Sequence, residues 1–311
     1  MKSNLYHVLG AKQFSRTELD ELFEASKGME EVVRTGGNRS HQGSIMTTLF
    51  FEASTRTRLS FEAAMNRLGG SVIGTENAAQ FSSAIKGETL EDTIRIISGY
   101  SDVIVMRHTE IGAAKRAAAV ADVPVLNAGD GAGEHPTQAL LDAYTIQKEI
   151  GQLDGVRIAM VGDLAYGRTV HSLSYILANY KDVMIHYISP ENVRIPNYVK
   201  RYMDEKGIRY EETGDLNEVA GSIDVLYQTR IQKERFPSLE EYEKASGHFI
   251  VDEELMSLMR KDSIVLHPLP RAGEITDAVD SDPRAAYFRQ ARNGLYIRMA
   301  LVDKALSGIN R

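Results

Sequence analysis

The sequence predicts an α/β fold built as two domains, each a mostly parallel sheet with helices on both faces. Short β-branched runs alternate with longer stretches of helical periodicity, the pattern of βαβ units around parallel sheets. At 311 residues the chain is too long for one small core and suits one large domain or two of ordinary size. Its composition, 43% hydrophobic and 25% charged, excludes disordered, collagenous and coiled-coil classes.

In chain order, helical periodicity is expected over 15–35, 55–68, 89–98 and 136–150, with strands at 44–51 and 102–106 between them. A turn at 151–155, with a glycine at each end, closes the fourth helix, and a fresh strand at 156–161 opens a second sheet. Further strands are expected at 183–188, 223–227 and 263–266, and helices at 169–180 and 284–306. The segments 38–42 and 78–87 read as mobile polar loops, the kind that often carry function.

With no cysteine, disulfides, thiolate metal sites and thiol catalysis are excluded together. None of the eight histidines has a companion at metal-ligand spacing, so neither a metal nor a cofactor is expected. The formal charge of −7 argues against a broad nucleic-acid surface. No stretch approaches the apolar length of a membrane helix, and residues 1–14 lack a signal-peptide core. A cytoplasmic protein is the expectation.

The run FFEASTRTR, residues 50–58, ends a strand, offers hydroxyls and starts a helix with Ser54 or Thr55 as N-cap. A helix start presents unpaired N–H groups and the positive dipole end, and here Arg56, Thr57 and Arg58 are added to it. An ordinary capped helix with solvated arginines uses the same residues, but this density of arginines and hydroxyls favours an anion cradle. Arg107 follows an apolar run near a strand's C-terminal end, where open α/β sheets bind ligands and where surface arginines are equally common. In HPTQ, residues 135–138, Pro136 suits the first helical position, which puts His135 at the cap and Gln138 one turn in. The dipole disfavours imidazolium there, so His135 is either a structural cap or a neutral donor to a developing oxyanion.

Residues 162–169, GDLAYGRT, match the spacing of a phosphate loop except that Arg168 replaces lysine. A lysine's compact charge is what that motif uses, whereas arginine suits a bidentate grip on a carboxylate. Thr229 and Arg230 follow one strand and HPLPR, residues 267–271, follows another. His267 reads as structural, while Pro268 and Pro270 fix a backbone whose carbonyls can face a ligand's N–H groups.

Together FFEASTRTR, HPTQ, HPLPR, AMVGDLAYGRTVHS, TRIQKER and KGETLEDT resemble, in order and over essentially the whole chain, the catalytic chains of the aspartate carbamoyltransferase family. The resemblance implies that family's fold, with 1–137 plus 293–311 as a carbamoyl phosphate-binding domain and 138–292 as an aspartate-binding domain. A C-terminal helix around 293–309 would return to the first domain. It implies transfer of the carbamoyl group to the α-amine of L-aspartate, the committed pyrimidine step. Ser54, Thr55, Arg56, Thr57 and Arg107 match the family's phosphate contacts; Thr57, Arg107 and His135 match those on the carbonyl oxygen. Gln138 and the backbone of Leu269 and Pro270 match contacts to the carbamoyl amino group. Arg168, Arg230 and Gln232 match aspartate-carboxylate contacts, and Ser82 and Lys86, the latter also toward aspartate, match a loop donated by a neighbouring subunit. The resemblance thus implies a homotrimer with shared active sites and, in some members, separate zinc-containing regulatory chains.

Two residues depart from the family pattern. Ile85 stands where many members carry a second lysine, and Ala53 where a proline is common. Ornithine carbamoyltransferase shares STRTR but carries a cysteine-containing HCLP loop and takes a cationic substrate, for which Arg168 and Arg230 are poorly suited. A phosphate-loop NTPase and a catalytically silent scaffold are the remaining competing readings.

Overall fold

A computed structural model of the chain describes residues 6–78, 87–131, 133–230, 238, 240 and 249–308. It divides into two compact units, Met1–Leu140 with Asn293–Arg311, and Leu141–Arg292.

The first unit contains α1 (Arg16–Arg34), β1 (Ile45–Phe50), α2 (Thr55–Arg67), β2 (Ser71–Thr75), α3 (Leu90–Ser98), β3 (Val103–His108), α4 (Ala113–Val120) and β4 (Val125–Asp130). Its sheet is parallel throughout, in the order β2-β1-β3-β4. Helix starts follow local chemistry. Ser15 and Glu18 form a capping box on α1, and Thr89 accepts the Asp92 N–H at the start of α3. Strands β1, β3 and β4 are almost wholly buried, whereas β2 is an exposed edge.

The chain passes into the second unit within α5 (Pro136–Ile150). There follow β5 (Arg157–Val161), α6 (Arg168–Leu177), β6 (Met184–Ile188), α7 (Asn197–Lys206), β7 (Arg209–Thr213), α8 (Asn217–Ala220), β8 (Val225–Gln228), α9 (Glu253–Leu258) and β9 (Ile264–Leu266). The sheet, again all parallel, runs β7-β6-β5-β8-β9. One face of its core gathers Ala159, Ile188, Leu226, Phe249, Val265 and Tyr287. Helix α10 (Tyr287–Ser307) carries the chain back into the first unit.

Seven of these elements, β2, α4, β4, α7, β7, α8 and α9, escaped the sequence reading, and four show why. β2 and β7 are edge strands whose exposed, polar faces lack an apolar run. β4 is fully buried, but its sequence, VLNAGD, carries Asn127 and Asp130 in the core. The alanine-rich α4 has little periodicity to detect.

Each sheet reverses its winding once. In the first, the chain moves from β1 outward to β2 and then crosses to β3; in the second, it moves from β5 to β6 and β7 before crossing to β8. The crevices at the C-terminal ends of β1 and β3, and of β5 and β8, are therefore topological switch points, where loops diverge and open α/β sheets bind ligands.

Candidate functional site

The first switch point is flanked by the STRTR segment after β1 and by Arg107 at the end of β3, with His135 following β4. Ser54 is the N-cap of α2, yet its hydroxyl does not cap the helix, and Arg56 is exposed at this end. Of the two arginines expected in the cradle, Arg58 is occupied elsewhere, 3.2 Å from Glu62 and 3.0 Å from Glu76. Thr57 is buried in the first turn.

Arg107 is 8% exposed, and its Nη2 lies 3.0 Å from Oε2 of Glu52, the acid of the same FFEASTRTR run. Its carbonyl accepts the Phe51 N–H at 2.8 Å, which ties the end of β3 to the start of the cradle. Glu52 had no role in the sequence reading, although it stands inside the most recognisable motif. His135 is buried immediately before Pro136, and its carbonyl accepts the N–H groups of Gln138 at 3.0 Å and Ala139 at 3.2 Å. The residue thus stands just before the first turn of α5, at the positive end of the helix.

The second switch point is flanked by Arg168 and Arg230. After β5 the backbone turns at Gly162, with φ of +120°, and Arg168 becomes the first residue of α6. The loop between them is tightly held: Leu164 and Ala165 both donate to the carbonyl of Val193 at 3.0 Å, and Tyr166 N–H donates to Asp163 Oδ1 at 3.0 Å. Buried His171, one turn into α6, adds a further hold. Its Nε2 lies 2.7 Å from the Leu164 carbonyl, and Tyr198 Oη is 3.1 Å from Nδ1. The carbonyl can only accept, so Nε2 carries the proton and Nδ1 accepts from Tyr198. Burial pushes the His171 imidazole below its ordinary value, which keeps the ring neutral. Across the crevice, Thr229 donates both its N–H and its hydroxyl to the Val161 carbonyl, at 2.8 and 2.7 Å, and Arg230 follows. The sequence reading missed His171, although its spacing from Arg168 was a visible signal.

The 267–271 loop follows β9. His267 is buried and taken up by Glu274 and by the Leu269 N–H; Leu269 has φ of +55°, and the Leu269–Pro270 peptide is cis. Arg271 is held by Asp277 and Asp280. A cleft of about 360 Å³ at the ends of β6 and β7, lined by Ser189, Arg194, Glu212 and Phe249 among others, includes none of the residues singled out from sequence. Ser82, Lys86 and Gln232 lie outside the described residues.

Each unit thus presents cationic or donor side chains at the C-terminal edge of its own parallel sheet: Arg56, Arg107 and His135 in the first, Arg168 and Arg230 in the second. Donors of this kind suit an anion.

Residues 6–148 match the family model described as "Aspartate/ornithine carbamoyltransferase, carbamoyl-P binding domain", and residues 154–304 match "Aspartate/ornithine carbamoyltransferase, Asp/Orn binding domain". The chain is 59% identical over 309 residues to the chloroplastic aspartate carbamoyltransferase of Arabidopsis thaliana, covering 99% of this chain and 79% of that one. Among solved structures it resembles the catalytic subunit of M. jannaschii aspartate transcarbamoylase, with 46% identity, a TM-score of 0.92 and coverage of 99% and 98%. It also resembles the Trypanosoma cruzi enzyme in complex with N-(phosphonacetyl)-L-aspartic acid, with 45% identity, a TM-score of 0.90 and coverage of 96% and 94%. The expectation of a cytoplasmic protein is corrected by the plant relative, which is named chloroplastic. A cysteine-free composition limits redox chemistry and fixes no compartment. With both halves matched and nearly its whole length shared with these proteins, the chain belongs to the aspartate carbamoyltransferase family.

Proposed function

We propose that the two switch points divide the family's reaction between them, the first unit taking carbamoyl phosphate and the second L-aspartate. The chain transfers the carbamoyl group of carbamoyl phosphate to the α-amine of L-aspartate, giving N-carbamoyl-L-aspartate and phosphate. The observation that carries the division of roles is the placement of Arg168 and Arg230 after the adjacent strands β5 and β8, two cations suited to a dicarboxylate.

In this reading Ser54, Thr55, Arg56, Thr57 and Arg107 hold the phosphate, using the uncapped start of α2 as well as the side chains. Thr57, Arg107 and His135 polarise the carbonyl oxygen, and Gln138 with the Leu269 and Pro270 backbone holds the carbamoyl amino group. Attack by the amine forms a C–N bond and a tetrahedral oxyanion; its collapse breaks the C–O bond to phosphate, which leaves with both electrons. The amine's proton passes to the departing phosphate. No covalent enzyme intermediate is needed, because the barrier falls through oxyanion stabilisation and through fixing two substrates in line.

Gln232 and Lys86 complete the proposed aspartate site. Ser82 and Lys86 come from a neighbouring chain, so the active assembly is a homotrimer, and its product feeds pyrimidine biosynthesis. Phosphate release measured with aspartate, with ornithine and with neither amine tests the substrate assignment. Release is expected with aspartate alone; release with ornithine alone overturns the assignment, and ATP hydrolysis without an amine restores the phosphate-loop reading.

A further inference from the structure

Inside the second unit a fully buried carboxylate joins the two loops that carry the proposed contacts. Asp142, on α5, has no solvent exposure. Its Oδ2 accepts the hydroxyl of Tyr227, on β8, at 2.7 Å, and its Oδ1 accepts Nε2 of Gln290, on α10, at 2.6 Å. Gln290 in turn accepts the backbone N–H of His267 at 2.8 Å through Oε1. That amide orientation is unambiguous, since a backbone N–H can only donate. On the other side, Tyr227 lies near the end of β8, three residues before Arg230. Tyr227, Gln290 and His267 are each at most 2% exposed.

An unbroken chain of hydrogen bonds therefore runs from the end of β8, the strand that leads into Arg230, through Asp142, to the first residue of the 267–271 loop. Burying a carboxylate carries a desolvation cost, and a well-packed apolar side chain often serves stability as well or better. What an apolar residue cannot do is fix the spacing of two donors, and through them the two loops.

We propose that Asp142 is a positioning residue for carbamoyl transfer, setting the end of β8, which leads into Arg230, and the 267–271 loop in one fixed relationship. The inference rests on the proposed roles of Arg230 and of Leu269 and Pro270.

Asp142→Asn in the full chain is the direct test. The amide keeps the volume but must offer N–H to one of two donors, which reverses the Tyr227 hydroxyl or breaks the Gln290 contact. The expected result is a kcat/KM reduced roughly tenfold to a hundredfold, with raised KM values for both substrates. Tyr187→Phe is the stability control, because it removes a buried hydroxyl contact, to Ser174 at 2.9 Å, and touches neither loop. It should lower the thermal midpoint while leaving kcat/KM within about twofold of the parent. Equal losses of midpoint in both variants with no KM change in Asp142→Asn overturn the inference. Should Asp142→Asn fail to fold, Tyr227→Phe carries the same expectation and the same overturning result. Arg230→Ala, assayed alongside, separates the two readings. If it leaves the aspartate KM unchanged, the site assignment falls; if it raises that KM while Asp142→Asn and Tyr227→Phe do not, this inference falls alone.

Discussion

Leu269 donates its backbone N–H to Nδ1 of His267 at 2.7 Å, and the opposite ring nitrogen of that histidine lies 2.7 Å from Oε1 of Glu274. The arrangement fixes the tautomer: Nδ1 accepts, so Nε2–H faces the carboxylate. It also holds a leucine in the left-handed region, at φ of +55°, a conformation that costs an L-residue about 1–2 kcal/mol. His267→Phe keeps a ring but removes the partner of the Leu269 N–H and of Oε1 of the half-buried Glu274, whose Oε2 keeps the Ala272 N–H. We expect a stability loss of about 2–4 kcal/mol by denaturant titration. At temperatures where the variant stays folded, the carbamoyl phosphate KM should rise; an unchanged KM removes the loop from the binding site.

The two half-sites predict different kinetic signatures. Arg56→Ala should cost about 10²–10³-fold in kcat, because its contacts strengthen as charge develops on the leaving phosphate. Arg230→Ala should instead raise the aspartate KM by roughly tenfold to a hundredfold, the worth of a charge-assisted hydrogen bond. Unchanged aspartate dependence in the second variant rules out its assigned contact.

Gly162 separates backbone strain from collision. A Cβ there would lie 2.4 Å from the Thr229 carbonyl oxygen and 2.5 Å from its hydroxyl, on a backbone with φ of +120°. Gly155 shares a positive φ, +75°, but has nothing within 4 Å of its would-be Cβ. Gly155→Ala should therefore cost about 1–2 kcal/mol and leave kinetics alone. Gly162→Ala should cost about 3 kcal/mol or more and raise the aspartate KM, since Thr229 must move and Arg230 moves with it. Equal kinetics in the two variants contradict the link between Thr229 and the aspartate site.

These contrasts show what the residues alone could reveal. The candidate anion cradle was legible as a cluster because its residues are contiguous and its chemistry is that of one helix start. Arg168 and Arg230 were legible as separate cations, but only the strand order β7-β6-β5-β8-β9 makes them flank one crevice. Arg58 was misjudged as free for an anion, since its partners Glu62 and Glu76 include one beyond its own helix. The holds supplied by His171, Glu274 and Asp142 depend on partners across the fold, and no local pattern encodes them. Edge strands β2 and β7 were lost for the opposite reason: their sequences obey solvent on one side and carry too little apolar signal.

Stability should decline with acidity in a window set by buried imidazoles. Burial lowers the His171 imidazole below the ordinary 6.5, and the hydrogen bond to the Leu164 carbonyl only partly opposes this. A depressed folded value means the unfolded chain binds the proton first, so the stability is fully present above 6.5 and is lost as pH falls below it toward the depressed value. His108 and His186 are lowered by burial in the same sense. Denaturant titrations from pH 7.5 to 5 should show stability falling by at most about 1.4 kcal/mol per pH unit for each such group. His171→Gln should flatten that slope by one proton's share while lowering the plateau. A slope identical to the parent's would mean that His171 is protonated in the folded chain.

The shared-site proposal makes its own demand on mixtures of inactive chains. Arg56→Ala disables the cradle of its own chain, whereas Lys86→Ala disables the loop that the chain lends to a neighbour. Each homotrimer of single variants should therefore be inactive. In a hybrid, an Arg56→Ala chain lends an intact Lys86 to a neighbour whose own cradle is intact, and one complete site results. Mixing the two variants under conditions that exchange subunits should restore activity, with hybrid formation verified by native mass spectrometry on chains of distinguishable mass. If both residues served the same chain's site, no hybrid could contain a complete one. Verified hybrids without recovered turnover would therefore place Lys86 in the same site as the Arg56 of its own chain.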